Sequence, residues 1–187
     1  MKTLSLGFCL AALFVSAAFA EPFAKTIKGD LVALKGKHVV HFNDAGVANT
    51  KYFAIYFSAS WCGPCKAFTP KLVTWYQQEK PKHPEFELIF VSDDTDENAM
   101  EAYMVEDQMP WPALRYSRIK TAKNIEELAG PGIPCLVFLN AEGKVLSHSY
   151  QGEKYVGPQK VLADIGKTLG PGTAPASAPG SLTKKVP

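Results

Sequence analysis

The sequence predicts an α/β fold built on a central mixed β-sheet flanked by helices, and three observations carry that prediction. Short apolar runs at residues 52–57, 87–92 and 135–139 read as buried strands. Stretches of helical periodicity follow the first two runs and close the chain. Gly and Pro punctuate the joins, as they do where strands hand over to helices.

The elements follow in chain order. Residues 30–34, a Lys35-Gly36-Lys37 turn and Val39-Val40-His41-Phe42 predict one or two edge strands that extend the sheet at its N-terminal side, with His38 and His41 at the surface or sheet edge. The run Tyr-Phe-Ala-Ile-Tyr-Phe at 52–57 predicts a strand buried on both faces. Phe68, Leu72, Trp75, Tyr76 and Glu79 then fall at i, i+4, i+7, i+8 and i+11, the period of a helix running to about Lys80 and stopped by Pro81; Pro70 should kink it. After the strand at 87–92, Asp94 is expected to cap a helix through about Glu106, with Glu97 completing a capping-box pair. Asp93, Asp94, Asp96 and Glu97 read as cap and solvated turn, since they lack the ligand spacing and central Gly of a calcium loop. Residues 121–129 predict a short helix leading to Gly130-Pro131-Gly132. The strand at 135–139 should form a hairpin with 145–150 through Ala141-Glu142-Gly143-Lys144. Gly157-Pro158 opens a last helix with Val161, Leu162, Ile165 and Leu169 on one face, closed by Gly170-Pro171.

The chemistry sits in Trp61-Cys62-Gly63-Pro64-Cys65, between the first long strand and its helix. At a helix N-terminus, unsatisfied N–H groups and the dipole favour thiolate over thiol, which makes Cys62 the attacking sulfur. Cys65, one turn along, is placed to resolve the mixed disulfide that Cys62 forms with a partner. Gly63 lets backbone approach the sulfur, and Pro64 is tolerated in a first turn because its missing N–H has no intrahelical acceptor. Zinc would need two further ligands; Cys135, His38, His41, His83 and His148 are scattered, so no metal is expected. A static bridge across so short a loop would constrain little unfolded-chain entropy.

Residues 56–70, Tyr-Phe-Ser-Ala-Ser-Trp-Cys-Gly-Pro-Cys-Lys-Ala-Phe-Thr-Pro, resemble the active-site segment of thioredoxin-fold proteins, specifically the tryparedoxin and nucleoredoxin branch. Residues 86–94 resemble that branch's central strand and acidic loop, and Met109-Pro110-Trp111-Pro112-Ala113 its Met-Pro-Trp turn. Gly132-Ile133-Pro134 resembles the cis-proline loop, which in that family faces the cysteine pair and offers backbone groups to the partner. The resemblance, spanning roughly residues 36–169, implies a thioredoxin fold, a thiol-disulfide oxidoreductase without a cofactor, catalytic Cys62 and Cys65, and a substrate surface of Trp61, Gly63, Pro64, Ile133 and Pro134. Two positions depart from the common thioredoxin pattern. Tyr56 stands where many thioredoxins have a buried aspartate, which leaves the proton acceptor for Cys65 unassigned. Cys135 stands where threonine usually follows the cis-proline. Either Cys135 is a small buried hydrophobe or it is a thiol that modulates the main pair, and Trp111 belongs either to the core or to the redox face.

The ends of the chain set the expected context. Residues 1–20 have a basic start, an apolar run and Ala18-Phe19-Ala20, which read as a cleaved secretory signal; residues 21–170 are then one domain and 171–187 a Pro/Ala/Gly-rich tail. Cleavage would remove Lys2 and lower the formal net charge from +2 to +1, too little to suggest nucleic acid, and would leave no membrane span. A periplasmic or secreted monomer acting on protein thiols and disulfides is expected, reducing disulfides with electrons from a membrane donor. Gly63-Pro64 and Ile133 resemble reducing thioredoxins, whereas an oxidising compartment argues for an oxidase or isomerase. A binding module with a permanently closed disulfide is the reading from a different class.

Overall fold

Alternation of apolar side chains between two faces organises the sheet. The computed structural model describes residues 21–172, so the expected signal and nearly all of the expected tail lie outside the described residues. A helical turn, α1 (Phe23–Thr26), precedes the hairpin β1 (Leu31–Lys35) and β2 (His38–His41). The long strand β3 (Tyr52–Ser58) leads into α2 (Gly63–Glu79), and β4 (Phe86–Ser92) into α3 (Glu97–Glu106). A short β5 (Ala113–Leu114) is followed by the single turns α4 (Tyr116–Ile119) and α5 (Lys123–Glu126). The chain closes with β6 (Cys135–Asn140), β7 (Val145–His148), the two-residue strands β8 (Tyr150–Gln151) and β9 (Lys154–Tyr155), and α6 (Pro158–Leu169).

Seven strands form one mixed sheet in the order β2-β1-β5-β4-β3-β6-β7. β3 lies at its centre, parallel to β4 and antiparallel to β6. Its alternate residues feed two cores. Tyr56 and Ala54 join Phe90, Leu136 and Phe138 beneath α2, α3 and α6, while Phe53, Ile55 and Phe57 join Val91, Cys135 and Val137 on the other face with Phe23 and Ile125. Both cores are made mainly of buried aliphatic and aromatic side chains, and burying each large one is worth roughly 1.5–3 kcal/mol relative to exposure. This is the thioredoxin fold that the resemblance implied, with the N-terminal hairpin docked on β5 as the extension.

Several local expectations change. Asp96 is the N-cap of α3, accepting from Ala99 N at 3.0 Å, whereas Asp94 is buried and turned back toward the cysteine turn. The segment 121–129 yields only α5, after which the Leu128 and Ala129 N–H groups donate to Ile125 O and Glu126 O, i→i−3 bonds that tighten the chain into a turn before Gly130, which lies against the Tyr150 ring. α2 continues through Pro70 and ends at Glu79, followed by a 3-10 turn at Lys80–Lys82. The partner of β6 stops at His148, after which β8 and β9 form a separate two-stranded ribbon. Trp111 is fully buried, edge-on to Tyr56 and Tyr76, which assigns it to the core.

Candidate active site

The parallel strands β3 and β4 end together, and the turn from β3 carries the cysteine pair to the start of α2. Cys62 is the N-cap of α2. Its Sγ accepts the Cys65 N–H at 3.2 Å, and the two cysteines are joined as a disulfide. An N–H aimed at sulfur at the positive end of a seventeen-residue helix favours the thiolate in the reduced pair. Both cysteines are buried, Cys62 at 5% exposure and Cys65 at 0%. The Ile133 carbonyl oxygen lies 3.8 Å from Cys62 Sγ. The disulfide has no S–H to donate to it, but in the dithiol it is placed to accept a weak S–H···O hydrogen bond.

The segment after β4 cradles this turn. Asp93 N–H donates to Ser58 O at 2.8 Å, and the Trp61 indole N–H donates to Asp93 O at 3.2 Å, which holds the 61%-exposed ring at the rim. Asp94 Oδ1 accepts both Ser60 N–H and Ser60 Oγ–H, at 2.8 and 2.7 Å. Burial and the adjacent Asp94 carboxylate raise the Asp93 pKa above the usual carboxylate range. Gly63 and Pro64 are exposed beside Trp61. Among the described residues, no three His, Cys, Asp or Glu side chains gather as a metal site.

Beneath the pair lies a closed cluster of hydroxyls that sequence reading missed apart from Tyr56. Thr69 Oγ1 contacts Cys65 O at 3.0 Å, Tyr56 OH at 2.9 Å and Tyr103 OH at 2.6 Å, and Tyr103 OH contacts Ser58 Oγ at 3.0 Å. Proton counting fixes the directions. Thr69 spends its single proton on the Cys65 carbonyl, so both tyrosines donate to Thr69, and Ser58 donates to Tyr103. Burial raises the pKa of Tyr56 and Tyr103 above the ordinary phenol value. Tyr56 is therefore a protonated donor that ties α2 to β3, not a base waiting for the Cys65 proton.

The loop before β6 completes the site. The Ile133–Pro134 peptide bond is cis, and Ile133 packs against Ala59, Cys62 and Cys65. Tyr155 OH donates to Pro134 O at 2.9 Å, which gives the β8–β9 ribbon a role in holding this loop. A cavity of about 440 Å³ opens beside Ile133, with Phe57, Val91, Ile119 and Ile125 among its apolar walls.

Cys135 stands apart. It pairs in register with Phe57 and points into the core on the face away from α2. Burial pushes its thiol up to about 11. His148 Nε2 lies 3.9 Å away, but Tyr150 N–H donates to His148 Nδ1 at 2.9 Å, which leaves the ring proton on Nε2, where it meets Leu128 O at 3.0 Å. A nitrogen that is itself donating cannot accept the thiol proton. The geometry fits the buried-hydrophobe reading of Cys135 and gives no route by which it would modulate the pair.

A sequence profile described as thioredoxin-like matches residues 49–145, just over half of the 187-residue chain. The chain belongs to the thioredoxin-like family. Probable nucleoredoxin 1 of Arabidopsis thaliana is 38% identical over 121 residues, covering 65% of this thioredoxin-like chain and 20% of the plant protein. Nucleoredoxin of Danio rerio is 34% identical over 128 residues, covering 68% and 29%. The chain thus spans less than a third of the length of these two curated relatives. Tryparedoxin I from Leishmania major superposes with a TM-score of 0.57 at 27% identity, covering 78% of this chain and 94% of that structure. Nucleoredoxins and tryparedoxins are thiol-disulfide oxidoreductases of the thioredoxin family. The relatives also correct the expected location. They are nucleoredoxins, which are cytoplasmic or nuclear, so the periplasmic or secreted assignment drawn from the apolar stretch at 1–20 is withdrawn. No helix among the described residues is long and apolar enough to cross a membrane.

Proposed function

We propose that this thioredoxin-like protein reduces protein disulfides through the Cys62–Cys65 couple, with Cys62 attacking and Cys65 resolving. The single observation that carries the reading is Cys62 Sγ at the N-cap of α2, accepting the Cys65 N–H while Cys65 itself is sealed from solvent. The partner binds along the rim formed by Trp61, Gly63, Pro64 and Ile133, while Pro134, expected on that surface, is buried behind it and shapes the loop. Among the described residues no backbone hydrogen bond engages the Ile133 N–H, which leaves it free to pair with an extended segment of the partner. Each cycle is balanced: the partner disulfide gains two electrons and becomes two thiols, and the Cys62–Cys65 dithiol becomes a disulfide. The case for a membrane electron donor rested on export and falls with it. Electrons come instead from another dithiol, as suits a reducing compartment.

Equilibration with glutathione tests the direction. A reductase of this kind is expected near the thioredoxin potential of about −270 mV; a value near about −120 mV, that of a strong disulfide donor, would assign the protein to oxidation instead.

A further inference from the structure

We propose that Asp94 is a positioning residue for Cys62, a role that rests on the reading of Cys62 and Cys65 as the exchanging pair. Asp94 is only 7% exposed and has no cationic partner among the described residues. A buried carboxylate without a counter-charge is costly, and only hydrogen bonds offset that cost here. Oδ1 takes both donors of Ser60, Oδ2 takes Ser92 Oγ–H at 2.8 Å, and Ser92 Oγ accepts the Asp94 N–H at 3.1 Å. The backbone is held as well, because Tyr116 OH donates to Asp94 O at 2.9 Å. A helix cap or solvated turn would need none of this.

What the carboxylate grips is the tight turn bearing the attacking sulfur. Cys62 N–H closes that turn on Ala59 O at 3.2 Å, with Ser60 inside it. The contact spans 34 positions of sequence and fixes the end of β3 to the end of β4 just before Cys62. Two consequences follow for the reduced and oxidised pair. A fixed turn keeps Cys62 Sγ on the Cys65 N–H, which favours the thiolate. It also keeps the two sulfurs at high effective concentration, which favours the disulfide over the dithiol and outweighs the opposite pull that the single N–H···S contact exerts through the thiolate.

The test is the equilibrium of the full-length protein with glutathione, joined to ultraviolet titration of the Cys62 thiolate, in Asp94→Ala, Asp94→Asn and Ser60→Ala. Asp94→Ala should move the equilibrium constant about tenfold toward the dithiol, equivalent to about 30 mV, and Cys62 should ionise at a higher pH in it than in the equally uncharged Asp94→Asn. Asp94→Asn keeps an oxygen acceptor for Ser60 and should stay within about threefold of the wild type. Ser60→Ala deletes one of the two donors and should shift the constant about threefold in the direction of Asp94→Ala, which serves if the latter does not fold. Unchanged constants in folded Asp94→Ala, or in Ser60→Ala, overturn the proposal, as does an Asp94→Asn shift equal to that of Asp94→Ala, since that would trace the effect to charge. A wild type whose pair does not equilibrate with glutathione overturns the redox reading beneath it; a wild type that does, with variants that match it, overturns the positioning role alone.

Discussion

Cys62→Ser is expected to lower dithiothreitol-driven reduction of insulin by about 10³-fold or more. The serine hydroxyl keeps nearly the same shape but is not ionised near neutral pH, so the N-cap position no longer yields a nucleophile. The fold should survive. The loop closed by this disulfide is too short for its loss to release much chain entropy, and Ser is itself a favoured N-cap for α2. A melting transition close to that of the wild type, with turnover gone, separates loss of chemistry from loss of structure. Turnover within tenfold of the wild type would remove Cys62 from the attacking role.

Cys65→Ser should behave differently, although its turnover also falls, by about 10²-fold. Attack by Cys62 still occurs, but the partner remains bound through one sulfur. The resolving thiol sits one helical turn away at high effective concentration, and external dithiol in the millimolar range replaces it poorly. The variant is therefore expected to accumulate a mixed disulfide with insulin, seen as a heavier band on non-reducing gels that vanishes with excess reductant. A Cys65→Ser protein that forms no adduct while Cys62 stays open to alkylation would show that the order of attack is wrong.

Where chemistry is encoded in adjacent residues, the sequence was legible. The run at 52–57, the cysteine pair and the helical spacing from Phe68 to Glu79 are all local patterns, and they became β3, the N-cap turn and α2. Gly132-Ile133-Pro134 was readable through its resemblance to a known loop. Contacts made across the fold were not. Ser58 and Tyr103 are 45 positions apart, and nothing near either one announces that their hydroxyls meet beside Thr69. Asp94 failed for a sharper reason. It and Asp96 both precede a helical run, either can cap it, and only the packing of the end of β4 against the cysteine turn decides that Asp96 caps while Asp94 turns inward. The β8–β9 ribbon was missed because two-residue strands carry no measurable period, yet Tyr155 ties that ribbon to Pro134. The location erred because an apolar, small-residue stretch matches an export signal by composition alone, and the relatives outweigh that match.

The most direct measurement mixes the fully reduced protein with equimolar insulin, without other reductant, and follows each cysteine by differential alkylation and mass spectrometry. Two thiols should appear on insulin for each Cys62–Cys65 bridge formed, while Cys135 remains a thiol that alkylates only after unfolding. Insulin disulfides that stay intact beside a still-reduced Cys62 and Cys65, or a bridge that instead involves Cys135, would contradict the account.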